Sequence, residues 1–131
     1  MKKEHIGGLE AWVYTPDFYS NDLTPIAFVP GASALGIMGA NPALTLKGLG
    51  RKVYLVSLPG HGESKPWNGK PLGHHSLEDF SRGLGSFFEA LGTRVDAWGH
   101  SMGAAVVQKQ FSSGWIRNAV LIGSPAPKVP L

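Results

Sequence analysis

The 131 residues suit one domain covering 1–131, since single domains of this size bury roughly two-thirds of the surface they expose when unfolded. A hydrophobic share of 43% against a charged share of 16% excludes a disordered chain and leaves apolar surface for an oligomeric interface. The net charge of +3 is scattered, with no basic face interleaved with aromatics to bind nucleic acid, and the absence of cysteine excludes disulfides and thiolate metal sites.

Met1 to His5 is basic but is not followed by the apolar core of a signal peptide, and no apolar run approaches the roughly 18 residues that span a bilayer. A soluble, cytoplasmic protein without membrane association is the expectation. Leu9 to Tyr14 alternates as a strand does, and Thr15 to Pro25, with Pro16, Asn21 and Asp22, reads as a loop. Ile26 to Val29 is a short apolar run closed by Pro30-Gly31, the pattern of a buried strand. Asn41-Pro42 offers a helix start, with Leu44 and Leu49 on one side and Gly50 as a stop. Val53 to Val56 is a second buried run, and the Gly- and Pro-rich stretch from Pro59 to Gly73 is a long loop.

Ser76 and Asp79 have the spacing of a capping box, and Leu77, Phe80, Leu84, Phe87, Phe88 and Leu91 recur at helical spacing up to Gly92. Gly83 and Gly85 lower the propensity of this helix, so packing must supply much of its stability. Val95 to Trp98 reads as a third buried strand, Met102 to about Phe111 as a helix, and Ala119 to Ile122 as a fourth strand. Apolar strands alternating with helices give an α/β class: a mainly parallel sheet flanked by helices.

Gly99-His100-Ser101-Met102-Gly103 has the form G-x-S-x-G, with a strand before it and a helix after it. Glycines on both sides let the turn close tightly enough to lift the serine Oγ above the sheet. The helix that starts there turns backbone N–H groups and the positive end of its dipole toward the same spot, favouring a developing oxyanion. Glycines around a serine also suit a plain tight turn; the flanking strand and helix favour a nucleophile.

Three landmarks then occur in order: Phe28-Val29-Pro30-Gly31-Ala32 after the first central strand, Leu58-Pro59-Gly60-His61-Gly62-Glu63-Ser64 after the second, and Gly-His-Ser-Met-Gly after the third. On these, from about Leu9 to Pro127, the chain resembles the first half of an α/β-hydrolase, closest in flavour to its esterase, lipase and haloperoxidase-like branches. The resemblance implies a truncated or minimal α/β-hydrolase fold, with Ser101 as nucleophile and the backbone N–H groups of Ala32 and Met102 as the oxyanion hole. Pro30 replaces the histidine usual before that glycine, which spares the backbone donor. Ser57 replaces a frequent aspartate, so one carboxylate near the top of the sheet is missing. The resemblance assigns the turn bearing His61 and Glu63 a structural role, and His100 precedes the nucleophile without being the base.

A serine hydroxyl needs a base to take its proton, usually a histidine oriented by a carboxylate. In the family both come from later segments, and Gly123 to Leu131 holds neither an acidic residue nor a histidine. In a parallel sheet, however, the loop after Val56 and the helix beginning near Ser76 share the carboxyl end where Ser101 emerges. His61, His74 and His75 are therefore the candidate bases, histidine being the side chain best suited to take a proton at neutral pH. The expectation is a homodimeric serine esterase for simple carboxylic esters, joined through its last strand or nearby helices. The alternatives are a fragment of a longer hydrolase and an inactive binding or interaction module. No cofactor is expected: neither a Walker pair nor G-x-G-x-x-G follows a strand, and the adjacent His74 and His75 lack metal-ligand partners.

Overall fold

The computed structural model describes residues 1–18, 23–31, 50–71 and 73–123. Among these residues six strands form one sheet: β1 (Lys2–Ile6), β2 (Leu9–Tyr14), β3 (Ile26–Val29), β4 (Val53–Val56), β5 (Val95–His100) and β6 (Ile116–Ile122). Their order across the sheet is β1-β2-β4-β3-β5-β6. The β1-β2 hairpin and its seam with β4 are antiparallel, and every pairing from β4 to β6 is parallel. The mainly parallel α/β sheet expected from the sequence is therefore present, extended at one edge by a hairpin whose first strand the sequence did not reveal. Lys2 to His5 is polar and, apart from the half-buried Glu4, exposed, so β1 carries little of the apolar signal that marks a strand.

Two helices lie against one face, α1 (Leu77–Leu91) and α2 (Met102–Gln110). Strand residues alternate faces, so Ala27, Val29, Tyr54, Val56, Val95 and Ala97 meet Leu84, Phe87, Phe88, Val106 and Val107 of the helices in one core. Phe87 and Phe88 are fully buried, and their rings meet edge to face at 5.8 Å. The opposite face carries Ile26, Val53 and Leu55 with Trp12, Tyr14, Phe28 and Trp98 around them.

The capping box at α1 is formed: Ser76 Oγ accepts the Asp79 N–H at 3.1 Å, while an Asp79 carboxylate oxygen accepts the Ser76 N–H at 2.8 Å. Gly83, a weak helix former, is required here by packing, because a Cβ on it would strike the Pro59 ring. The helix expected after Asn41-Pro42 lies outside the described residues.

β6 begins three residues earlier than its apolar run suggests. Val95 pairs with Ile116 but Asp96 pairs with Asn118, so Arg117 is an extra residue, a β-bulge in a parallel pair. The nearly buried Asp96 carboxylate takes a two-point contact from Arg117, at 3.0 and 2.7 Å, and further hydrogen bonds from Arg51 and from Asn118. Burial opposes ionisation of Asp96, but the two guanidinium groups outweigh it and hold its pKa below the ordinary carboxylate range. Among the described residues no helix is long and apolar enough to cross a membrane.

Candidate functional site

Ser101 joins β5 to α2 with φ 55 and ψ −120, one of two non-glycine residues with positive φ among the described residues. Such a backbone costs on the order of 1–3 kcal/mol and persists only where its surroundings impose it. Here the surroundings are visible. A Cβ on Gly99 would sit 2.6 Å from the Ala104 Cα, and one on Gly103 would collide with the carbonyl oxygens of Val29 and Pro30. The two glycines thus let α2 start directly against β5 and β3. The Ser101 N–H donates to the Ile122 carbonyl at 2.9 Å, and the Ser101 carbonyl accepts from the Ala104 N–H at 3.0 Å.

The turn after β3 meets the serine: the Cβ position of Gly31 is 3.2 Å from Ser101 Cβ and 3.7 Å from Oγ. A substituent on Gly31 would press on the Ser101 Cβ and meet the hydroxyl at ordinary contact distance. Met102 is the first residue of α2, where backbone N–H groups have no intrahelical acceptor and the positive end of the helix dipole lies. Ala32 lies outside the described residues.

The three histidines sit on the loop between β4 and α1. His61 has Nδ1 3.1 Å from the Pro59 carbonyl and its ring edge-on to Phe80. A donating Nδ1–H leaves the lone pair on Nε2. His75 stacks on the same Phe80, with ring centroids 5.3 Å apart, and its Nε2 accepts the Trp67 N–H at 3.0 Å. In its neutral form that histidine has its single ring lone pair engaged. His74 is exposed, with its backbone N–H donated to the Pro71 carbonyl.

A carboxylate on β2 belongs to the same region, and no local pattern announces it. Glu10 is 5% exposed and lies beside Ser57, the residue in the frequent aspartate position. Its Oε2 accepts the Ser57 Oγ–H at 3.1 Å and the Glu63 N–H at 3.3 Å. Its own N–H donates to Ser64 Oγ at 2.8 Å, and that hydroxyl donates to the Ser57 carbonyl at 2.7 Å. Two serines and one glutamate thus pin the 57–64 turn to β2, which agrees with a structural role for that turn. Glu10 is three strand spacings from β5, roughly 14 Å, so it orders the loop without reaching Ser101. An alternating strand gives no sign that its outward glutamate is covered by a loop some 50 residues later.

The lower end of α1 is tied to the same loop by Lys70, whose Nζ lies 2.7 Å from an Asp79 carboxylate oxygen. That ammonium, followed by the Ser76 N–H, lowers the Asp79 pKa from 3.8 to about 2.

Among curated proteins none matches the chain. Solved structures do. A proline iminopeptidase from Mycobacterium smegmatis superposes with a TM-score of 0.76 at 22% identity, over 95% of this chain and 44% of that one. An esterase from Exiguobacterium antarcticum gives 0.72 at 19% identity, over 95% and 45%. A monoacylglycerol lipase from Paleococcus ferrophilus gives 0.68 at 26% identity, over 93% and 46%. The chain thus spans less than half the length of each. The profile of the alpha/beta hydrolase family matches residues 26–131, from the first residue of β3 through the turn at Ser101 and beyond β6. By that match, and by the sheet order and serine turn it encloses, the chain belongs to the alpha/beta hydrolase family.

Proposed function

We propose that the chain is a serine esterase that cleaves simple carboxylic esters through an acyl-enzyme on Ser101. The observation that carries this reading is the strained Ser101 backbone at the start of α2, with φ 55 and ψ −120, in a hydrolase-family fold. Strain of that kind clusters at functional sites because it fixes a reactive group where an ordinary turn would not. The Ser101 Oγ attacks the ester carbonyl carbon, the carbonyl oxygen takes the negative charge beside the Met102 N–H, and the alcohol leaves with a proton. Water then releases the acid. The base in this reading is one of His61, His74 and His75.

Coverage of less than half of each solved structure favours a second reading, in which this half works with the remainder of a longer hydrolase that supplies base and acid. Turnover of a short-chain activated ester by the protein and by its Ser101→Ala variant tests the proposal. Turnover reduced to the uncatalysed background in the variant is expected. Equal rates in the two would replace the enzyme with a binding module of the same fold. Alanine at 61, 74 and 75 separates the two readings: loss of kcat by roughly 10²-fold or more at one position identifies the base within this chain. Retention at all three favours the second reading.

A further inference from the structure

The Ser101 N–H is held by the carbonyl of Ile122, the last residue of β6, so the turn depends on which residue of the edge strand arrives beside it. The register shift of this strand pair lies at its other end, five residues and roughly 17 Å away. Successive strand side chains point to opposite faces, yet Arg117 and Asn118 both reach the Asp96 carboxylate. The bulge permits this. It also lets Ile116 and Ala119, an odd number of positions apart, both face the helix layer. Beyond it the pairing is regular, with Asp96 opposite Asn118, Gly99 opposite Leu121 and His100 opposite Ile122.

We propose that Asp96 and Arg117 are positioning residues for Ser101: their two-point contact fixes the bulge, and the bulge delivers the Ile122 carbonyl to the Ser101 N–H. An unbulged ladder continuing from Val95 and Ile116 would shift β6 by one residue. It would carry Ala119 to the opposite face and bring a different carbonyl to the turn. It would also pull Asn118 away from a nearly buried carboxylate that burial leaves dependent on its partners. Arg51 strengthens the anchor from a third side, since its Nε also donates to the Thr24 carbonyl at 2.7 Å, ahead of β3. The Asp96 N–H donates to the Pro25 carbonyl at 2.9 Å, so through its backbone and its carboxylate Asp96 links the first residues of β5 and β6 to the segments that lead into β3 and β4.

The variant Asp96→Ala removes the anchor, and deletion of Arg117 in the same chain removes the extra residue that needs it. Amide hydrogen exchange is read at Ser101 and, as an internal standard, at Phe88 in α1. Reaction of Ser101 with an organophosphonate is read alongside, and that second readout rests on Ser101 being the nucleophile. In Asp96→Ala, exchange at Ser101 is expected to accelerate roughly tenfold or more relative to Phe88. Phosphonylation is expected to slow roughly tenfold or more. The added deletion restores both to within about threefold of the parent, because a regular ladder then reaches the same register without the key. A merely stabilising ion pair would speed exchange at Phe88 as much as at Ser101, and the deletion would restore nothing; either result overturns the proposal. Asp96→Asn, which keeps the side-chain shape, replaces Asp96→Ala if the latter does not fold. A parent protein that resists the phosphonate defeats the nucleophile reading, while the exchange ratio still decides the register.

Discussion

Ser101, Gly99 and Gly103 form a steric unit in which the glycines matter for what they omit. Gly103→Ala places a methyl group against the carbonyl oxygens of Val29 and Pro30, and β3 or α2 must move to accept it. The expected cost is about 1–3 kcal/mol, as for other overpacked cores, read as a lower urea midpoint. An unchanged midpoint would mean that the close approach of α2 to β3 does not constrain the turn. His75 gives a second residue-scale test, since it offers Trp67 an acceptor and Phe80 a stacking face. His75→Phe keeps the stacking and removes the acceptor, so a loss on the order of 1 kcal/mol is expected, with faster exchange of the Trp67 amide. No change in that exchange would show that Trp67 is held by something else. The serine turn was legible in the sequence because its chemistry is local: two glycines, a serine, a strand before and a helix after. Glu10 was not, because its partners Ser57 and Glu63 lie far along the chain and nothing in Leu9 to Tyr14 anticipates them.

At the scale of elements, the boundaries of α1 follow from its own ends, a capping box at Ser76 and Gly92 beyond Leu91, and both were readable as spacing. The start of β6 was not readable, because the polar pair Arg117-Asn118 breaks the apolar run at the very point where the bulge needs Asp96 ligands. The Lys70-Asp79 contact supplies a pH test of how the β4–α1 loop is tied to its helix. The Asp79 pKa is depressed from 3.8 to about 2 in the folded chain, so the unfolded chain binds more protons in that interval. The contribution is therefore complete above about pH 5 and is lost as the pH falls through about 4 to 2. Lys70→Met should be less stable than the parent at neutral pH, by a small amount because Lys70 is partly exposed, and the two urea midpoints should converge toward pH 2. A difference that stays constant across that range would assign the loss to packing of the lysine stem.

For the whole molecule, among the described residues one edge of the sheet is closed by a polar hairpin strand and the other is the parallel strand β6, where Val120, Leu121 and Ile122 are 40%, 38% and 42% exposed. An exposed apolar strand edge is a surface on which a further strand can pair. We expect the protein to self-associate through this edge, giving at least a dimer by light scattering at tens of micromolar. A monodisperse 13.9 kDa monomer would contradict that expectation. The class of the fold and the succession of its central strands along the chain were readable from apolar runs and helical spacing, but their order across the sheet was not. The covering of the edges was not, since it depends on pairings that local pattern does not encode. The proposed activity turns on Ser101, and the most direct measurement is peptide mapping after treatment with an organophosphonate. The expected result is a single adduct on Ser101, since a hydroxyl beside the free N–H groups of a helix start should react fastest. No adduct, or adducts spread equally over Ser57, Ser64 and Ser101, would contradict the account.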